Sequence, residues 1–185
     1  MLKNAENAVN VYQMLEARDK RVLRQRKMIE KYQKPVISFT LNIPGPVKSK
    51  DLYLRAFEQG KHEIMTALNE ARYPVLESDS VYEVTGYEFC ICVDGNPLDL
   101  KKSLINLEEM HAMGRLYDID VICLDGSKVS REEVGKGPRR CILCQKEAHV
   151  CGRNRTHSLE ELVGRVDKIM SDSLKDMTHS CKMDG

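Results

Sequence analysis

The run Tyr117-Asp118-Ile119-Asp120-Val121-Ile122 constrains this chain more than any other stretch. Side chains alternate across a strand, so Asp118 and Asp120 share one face while Ile119 and Val121 take the other. Asp is depleted in strands, and like charges on one strand face repel. A solvated strand face is one way to keep both. The other is a cation: two carboxylates about 7 Å apart along a strand can converge on a divalent metal that takes hard oxygen ligands. Just upstream, Gly114 permits close approach of a backbone, and Arg115 offers a guanidinium suited to phosphate oxygens. Gly-Arg ahead of Asp-apolar-Asp-apolar suits a nucleoside triphosphate held on Mg²⁺.

The flanking segments supply a sheet and its helices. Residues 5–33 carry a helical period through Val9, Tyr12, Leu15, Val22, Leu23, Met28, Ile29 and Tyr32, with a basic middle and end. That helix is either a solvated face whose cations suit the C-terminal dipole or a surface that contacts anions. Pro35 ends it, and residues 36–43 alternate as a strand. The turn Pro44-Gly45-Pro46-Val47-Lys48 leads to a helix capped by Ser49 or Asp51 and running to about Arg72. A strand, a glycine turn and Lys48 before a helix N-terminus make a weak anion cradle without P-loop spacing. Residues 81–93 read as a hairpin broken at Thr85-Gly86. A helix from Pro97 to Met110 follows, then the aspartate strand over 116–124. Ser130 begins a capping-box sequence, Ser158 caps a last helix over 158–175, and the tail ending in Gly185 frays. The expected fold is one α/β or α+β domain over 1–185: a mixed β-sheet with flanking helices. The Asp pair suggests, by analogy, a nucleotidyltransferase-like sheet.

Residues 136–157 form a second chemical cluster. Cys141, Cys144, Cys151 and His157 are three thiols and an imidazole that could complete a tetrahedral Zn²⁺ site, or be reduced core cysteines beside a helix cap. Lys136, Arg139, Arg140, Lys146, Arg153 and Arg155 oppose the single acid Glu147, a patch that calls for a polyanionic ligand or an acidic partner. With little aromatic interleaving, nucleic acid is not expected.

Composition bounds the rest. The chain has 185 residues, 42% hydrophobic and 31% charged, with net charge +1. No apolar run nears the roughly 20 residues needed to span a bilayer, so no membrane association is expected. Met1–Asn7 lacks the basic-then-apolar order of a signal peptide, and seven cysteines fit reduced thiols or metal binding. A cytoplasmic location is expected.

Several of these segments together resemble a known family. They are Ser38-Phe39-Thr40, Pro44-Gly45-Pro46-x-Lys48, His111-x-x-Gly114-Arg115-Leu116-x-Asp118-Ile119-Asp120-Val121 and Ser130-Arg131. Pro138-Arg139-Arg140-Cys141-x-Leu143-Cys144, Cys151-x-Arg153 and Thr156-His157-x-Leu159 continue them. In order and spacing, from about Arg18 to the last helix, the chain resembles the apo-citrate lyase phosphoribosyl-dephospho-CoA transferase (holo-citrate lyase synthase) family. The resemblance implies transfer of a 2′-(5″-phosphoribosyl)-3′-dephospho-CoA group from its triphosphate precursor. The acceptor it implies is a serine of the apo acyl carrier subunit of citrate lyase, and pyrophosphate leaves. Asp118 and Asp120 would hold Mg²⁺, Arg115 would meet phosphate charge, and His111 would take the serine proton or else sit at a helix C-terminus. Lys48, Arg131, Arg139 and Arg140 would hold the pyrophosphate or the CoA-derived end. Two other readings stand beside it: a nucleotidyltransferase with a different acceptor, and a non-enzymatic zinc-binding adaptor.

Overall fold

In the computed structural model, which describes residues 8–180, the elements alternate as the hydrophobic periods predict. They are α1 (Val11–Tyr32), β1 (Val36–Leu41), α2 (Asp51–Glu70), β2 (Val75–Glu83), β3 (Gly86–Val93), α3 (Pro97–Met110), β4 (Tyr117–Ile122), α4 (Ala148–Asn154) and α5 (Leu159–Ser180). The expectations for residues 5–7 and for the tail ending in Gly185 lie outside the described residues. No helix among the described residues is long and apolar enough to cross a membrane.

The four strands lie in the order β2-β3-β1-β4, and every ladder is antiparallel. The sheet is therefore not mixed. Each helical crossover joins two strands of the same direction but skips one position. β3 lies between β1 and β2, and β1 lies between β3 and β4, so parallel strands never become neighbours. The order is that of the split βαβ motif.

The pleat sorts the sheet into two unlike faces. Ile37, Phe39, Phe89, Ile91, Ile119 and Val121 point to one side, in a core with Tyr53, Phe57 and Ile64 of α2, Leu100 and Leu104 of α3, and Val166 and Met170 of α5. On the other side α1 lies across the sheet. Met28 and Ile29 pack on Val36, Cys90, Cys92 and Ile122, while the middle of the helix, residues 21–25, meets polar groups. There Gln25 donates to Ser38 Oγ at 3.0 Å, and Arg21 and Arg24 pair with the buried Glu88. Cys90 and Cys92 are packing residues, and none of the six described cysteines is in a disulfide.

Local chemistry explains most boundaries. Asn10 and Gln13 form a capping box on α1, Asn96 caps α3 with Pro97 in its first turn, and Ser158 and Glu161 cap α5 reciprocally. The cap of α2 differs from expectation. Lys50 is its N-cap and makes no side-chain cap bond, while Asp51 contributes its charge to the positive end of the helix dipole. The strand pairing begins earlier than the hairpin read over 81–93: Val75-Leu76 already belongs to β2, which turns back through Val84-Thr85.

Candidate active site: a carboxylate pair beside an arginine-lined pocket

β4 is an edge strand, and its even-numbered side chains face the α1 side. Register places Asp118 opposite Thr40 and Asp120 opposite Ser38. Both carboxylates are on one face, as the alternation requires, and each meets its own cation. Lys128, returning after the turn that follows β4, pairs with Asp120, and Arg139 Nη1 lies 3.9 Å from Asp118 Oδ1. Asp118 is half exposed, so its charge remains available.

The outer edge of β4 is closed without a fifth strand. Arg139 donates to the Tyr117 carbonyl at 2.8 Å, Lys101 Nζ to the Ile119 carbonyl at 2.6 Å, and Val129 N–H to the Val121 carbonyl at 2.9 Å. Lys101 is buried, which pushes its pKa down despite the nearby Glu108. Glu108, 3% exposed, is the hub beneath this edge. It pairs with Arg131 at 2.6 Å and with Arg139, and lies 3.9 Å from Lys101. Its carboxylate is thus committed to three cations. Gly114 serves the same packing. A Cβ there would lie 2.1 Å from the Leu107 carbonyl, so the backbone that approaches closely is that of α3.

Beyond the start of β4 opens a pocket of about 430 Å³. Arg115, Arg139, Arg140 and Arg155 line it together with Asn42, against an apolar wall that includes Ile142, Leu159, Leu162 and Val166. A second recess of about 320 Å³ shares Arg115, Arg139 and Arg140 and adds Arg131. Arg115 donates to the Arg140 carbonyl, and Arg140 donates to the Gln145 carbonyl at 2.9 Å. Among the described residues no carboxylate pairs with Arg115, Arg140 or Arg155, so their charge is uncompensated. A guanidinium has five donors, and Arg115 and Arg140, with one carbonyl each, leave most of theirs free for an anion. Arg131, by contrast, is spent on Glu108, Glu109 and the Gly137 carbonyl.

Two of the candidate residues lie elsewhere. Lys48 folds back onto the Ile43 carbonyl at 2.5 Å beside Arg21 and Glu88, and burial pushes its pKa down. His111 packs on the opposite side of the sheet from the aspartates. Its ring stacks on Tyr117, Nδ1 accepts from Met113 N–H at 3.2 Å, and Nε2 reaches Glu63 of α2 at 3.0 Å. Tyr117 Oη donates to the same carboxylate at 2.9 Å. Burial favours the neutral form of Glu63, but hydrogen bonds from His111, Gln59 and Tyr117 outweigh it and hold the carboxyl below its ordinary value. Sequence reading missed Glu63 and Tyr117 as partners of His111. It also missed Lys128 as the counterion of Asp120. The one local signal was Lys101 and Glu108, two charged residues a helical double turn apart on the buried stripe of α3.

The cysteine segment closes into a cluster. One ligand atom from each of Cys141, Cys144, Cys151 and His157 lies within 4.8 Å of the others. Cys144 Sγ is 3.5 Å from Cys151 Sγ and 3.3 Å from His157 Nε2. A tetrahedral Zn²⁺ at about 2.3 Å from sulfur and about 2.1 Å from nitrogen needs its ligand atoms roughly 3.5–3.8 Å apart, so the set fits with small adjustments. Burial opposes ionisation of Cys141, yet the amides of Leu143 and Cys144 and the neighbouring thiols bring it down to about 7. Cys141, Cys151 and His157 also form part of the arginine pocket's wall.

The family model for apo-citrate lyase phosphoribosyl-dephospho-CoA transferase matches residues 9–173. Curated relatives of that name include those of Escherichia coli O1:K1 / APEC, Escherichia coli O6:K15:H31 (strain 536 / UPEC) and Shigella boydii serotype 18 (strain CDC 3083-94 / BS512). Each is 33% identical over 168 residues, covering 91% of this chain and 92% of the relative. The match takes in the aspartate strand, the arginine pocket and the cysteine cluster alike, and the chain belongs to the apo-citrate lyase phosphoribosyl-dephospho-CoA transferase family.

Proposed function

We propose that this protein transfers the 2′-(5″-phosphoribosyl)-3′-dephospho-CoA group from its triphosphate precursor to a serine of the apo acyl carrier subunit of citrate lyase. The serine oxygen attacks the α-phosphorus, the bond from that phosphorus to the bridging oxygen of the β-phosphate breaks, pyrophosphate leaves with that oxygen, and the serine proton passes to solvent or to the departing pyrophosphate. The observation that carries this reading is the junction at Arg139. One guanidinium faces the uncompensated arginine pocket and also stands 3.9 Å from Asp118.

The arginine pocket suits the donor. Arg115, Arg140 and Arg155 would hold phosphate oxygens, and the Leu159–Val166 wall would take the less polar part of the CoA-derived group. Asp118 and Asp120 are hard oxygen donors on one strand face and fit Mg²⁺, which would neutralise charge on the triphosphate when bound. Arg139 is held in place by Glu108 and the Tyr117 carbonyl, a fixed cation aimed at charge that develops as pyrophosphate departs. His111 is best read as a positioning residue. By stacking on Tyr117 and bonding to Glu63, it fixes the turn that carries Gly114 and Arg115. The Cys141/Cys144/Cys151/His157 cluster would bind Zn²⁺ as a structural ion that shapes the pocket wall. An acceptor other than the citrate lyase carrier would use the same site.

The test is the intact mass of purified apo carrier after incubation with this protein, the triphosphate donor and Mg²⁺. The expected result is a gain equal to the phosphoribosyl-dephospho-CoA group, lost with Asp118→Ala. No gain with active donor would overturn the reading.

A further inference from the structure

Asp118 meets Arg139 from the arginine pocket, whereas Asp120 meets Lys128 from a different cavity. That second cavity is a groove of about 470 Å³ between α1 and the end of β4 with its following turn. Val22, Gln25, Arg26 and Ile29 form one wall, with the acid Glu30 at its end, and Ile122, Leu124, Asp125 and Lys128 form the other. Gln25 also bonds Ser38, the residue opposite Asp120, and Lys128 pairs with Asp120, so the groove adjoins the Asp120 end of the carboxylate pair.

α1 presents an unusual surface along this groove. Val11, Leu15, Arg18, Val22, Arg26 and Ile29 follow steps of four, three, four, four and three residues, a single stripe on the helix that holds no acid. Val11 is 70% exposed, Leu15 50% and Val22 42%, and Leu124 across the groove is 50% exposed. Contiguous exposed apolar side chains among cations mark an interaction surface rather than a solvated helix. Arg18, Arg26 and Lys27 have no ion-pair partner among the described residues. Asp125, the acid of the facing turn, is occupied by Ser127 N–H and Oγ.

We propose that the α1–β4 groove docks the apo carrier subunit, through a carrier segment whose apolar side chains are flanked by carboxylates. This rests on the transfer reaction proposed above. The apolar stripe buries that segment, and Arg18, Arg26 and Lys27 pair with its acids. The serine is thereby delivered to Asp118 and Asp120 from the side opposite the donor. The two substrates enter from two cavities and meet at the carboxylate pair. The basic surface of residues 136–155 belongs to the donor and not to the carrier.

The test measures binding of purified apo carrier to the full chain without donor, by biolayer interferometry at low and high salt. Val22→Asp/Arg26→Glu, both exposed positions, is expected to raise Kd about tenfold or more, and binding to the unaltered chain is expected to weaken with salt. Lys146→Glu/Arg153→Glu is expected to change Kd less than about twofold. In the transfer assay the groove variant raises KM for the carrier and leaves KM for the donor unchanged. Groove variants that bind and react like the unaltered chain overturn the proposal, as does loss of binding only in Lys146→Glu/Arg153→Glu. A dimer of this chain that dissociates in the groove variant assigns the groove to a second copy and also overturns it. Groove-dependent binding without transfer upholds the docking surface and sinks the reaction. Transfer indifferent to the groove does the reverse.

Discussion

Glu108 shows how much of this site depends on single side chains. Its buried carboxylate balances Arg131, Arg139 and Lys101. Removing one partner of a buried ion pair leaves the others uncompensated and costs about 3–5 kcal/mol, so Glu108→Ala should lower the urea midpoint sharply. Asp118 is the opposite case. It is half exposed with one loose cation, so Asp118→Ala should leave the unfolding midpoint nearly unchanged while reducing transfer by about 100-fold or more in the mass assay. Equal losses of stability and activity would return Asp118 to the role of a surface residue. Gly114→Ala tests packing alone. With the Leu107 carbonyl in the way, it should cost about 1–3 kcal/mol by thermal melting.

The β4 edge and the cysteine segment are stabilised by different means. The edge carbonyls of Tyr117, Ile119 and Val121 are capped by Arg139, Lys101 and Val129, which blunts the edge against pairing with another chain. The segment from Arg139 to His157 has little regular structure beyond the seven-residue α4, and few of its side chains are buried. A metal ion would hold such a segment far better than its apolar contacts. Purified protein should carry about one Zn²⁺ per chain by elemental analysis. Cys144→Ser should lose it, with a lower melting temperature and faster tryptic cleavage within 139–157. Much at this level was legible beforehand. Pro97 and Ser158 announce their helices because capping and first-turn preferences are chemistry within four residues, though the partners Asn96 and Glu161 emerge only in the structure. The start of α2 was not legible, since its N-cap Lys50 makes no side-chain bond.

Across the molecule, α2 is tied to β4 by the Glu63–His111–Tyr117 group, which makes stability depend on pH. The Glu63 carboxyl is held below its ordinary 4.5, so its contribution is complete above that pH and is lost as pH falls through the lower folded value. Denaturant titrations should show stability falling below about pH 4.5, with a shallower fall in Glu63→Gln. The split βαβ order also explains which expectations held. Alternation along Asp118–Val121 is set by backbone geometry alone, so a shared face for the two aspartates followed from the residues themselves. So did the strands, the helices and the gathering of Arg139, Arg140 and the cysteines within one short segment. The partners of those residues did not follow. Glu108 meets Arg139 31 residues away, Lys48 turns from the arginines, and His111 falls on the far side of the sheet from Asp118. Those outcomes required the strand order, because a crossover that skips one position decides which distant side chains face each other. No local period encodes that choice; the burial of the common core selects it.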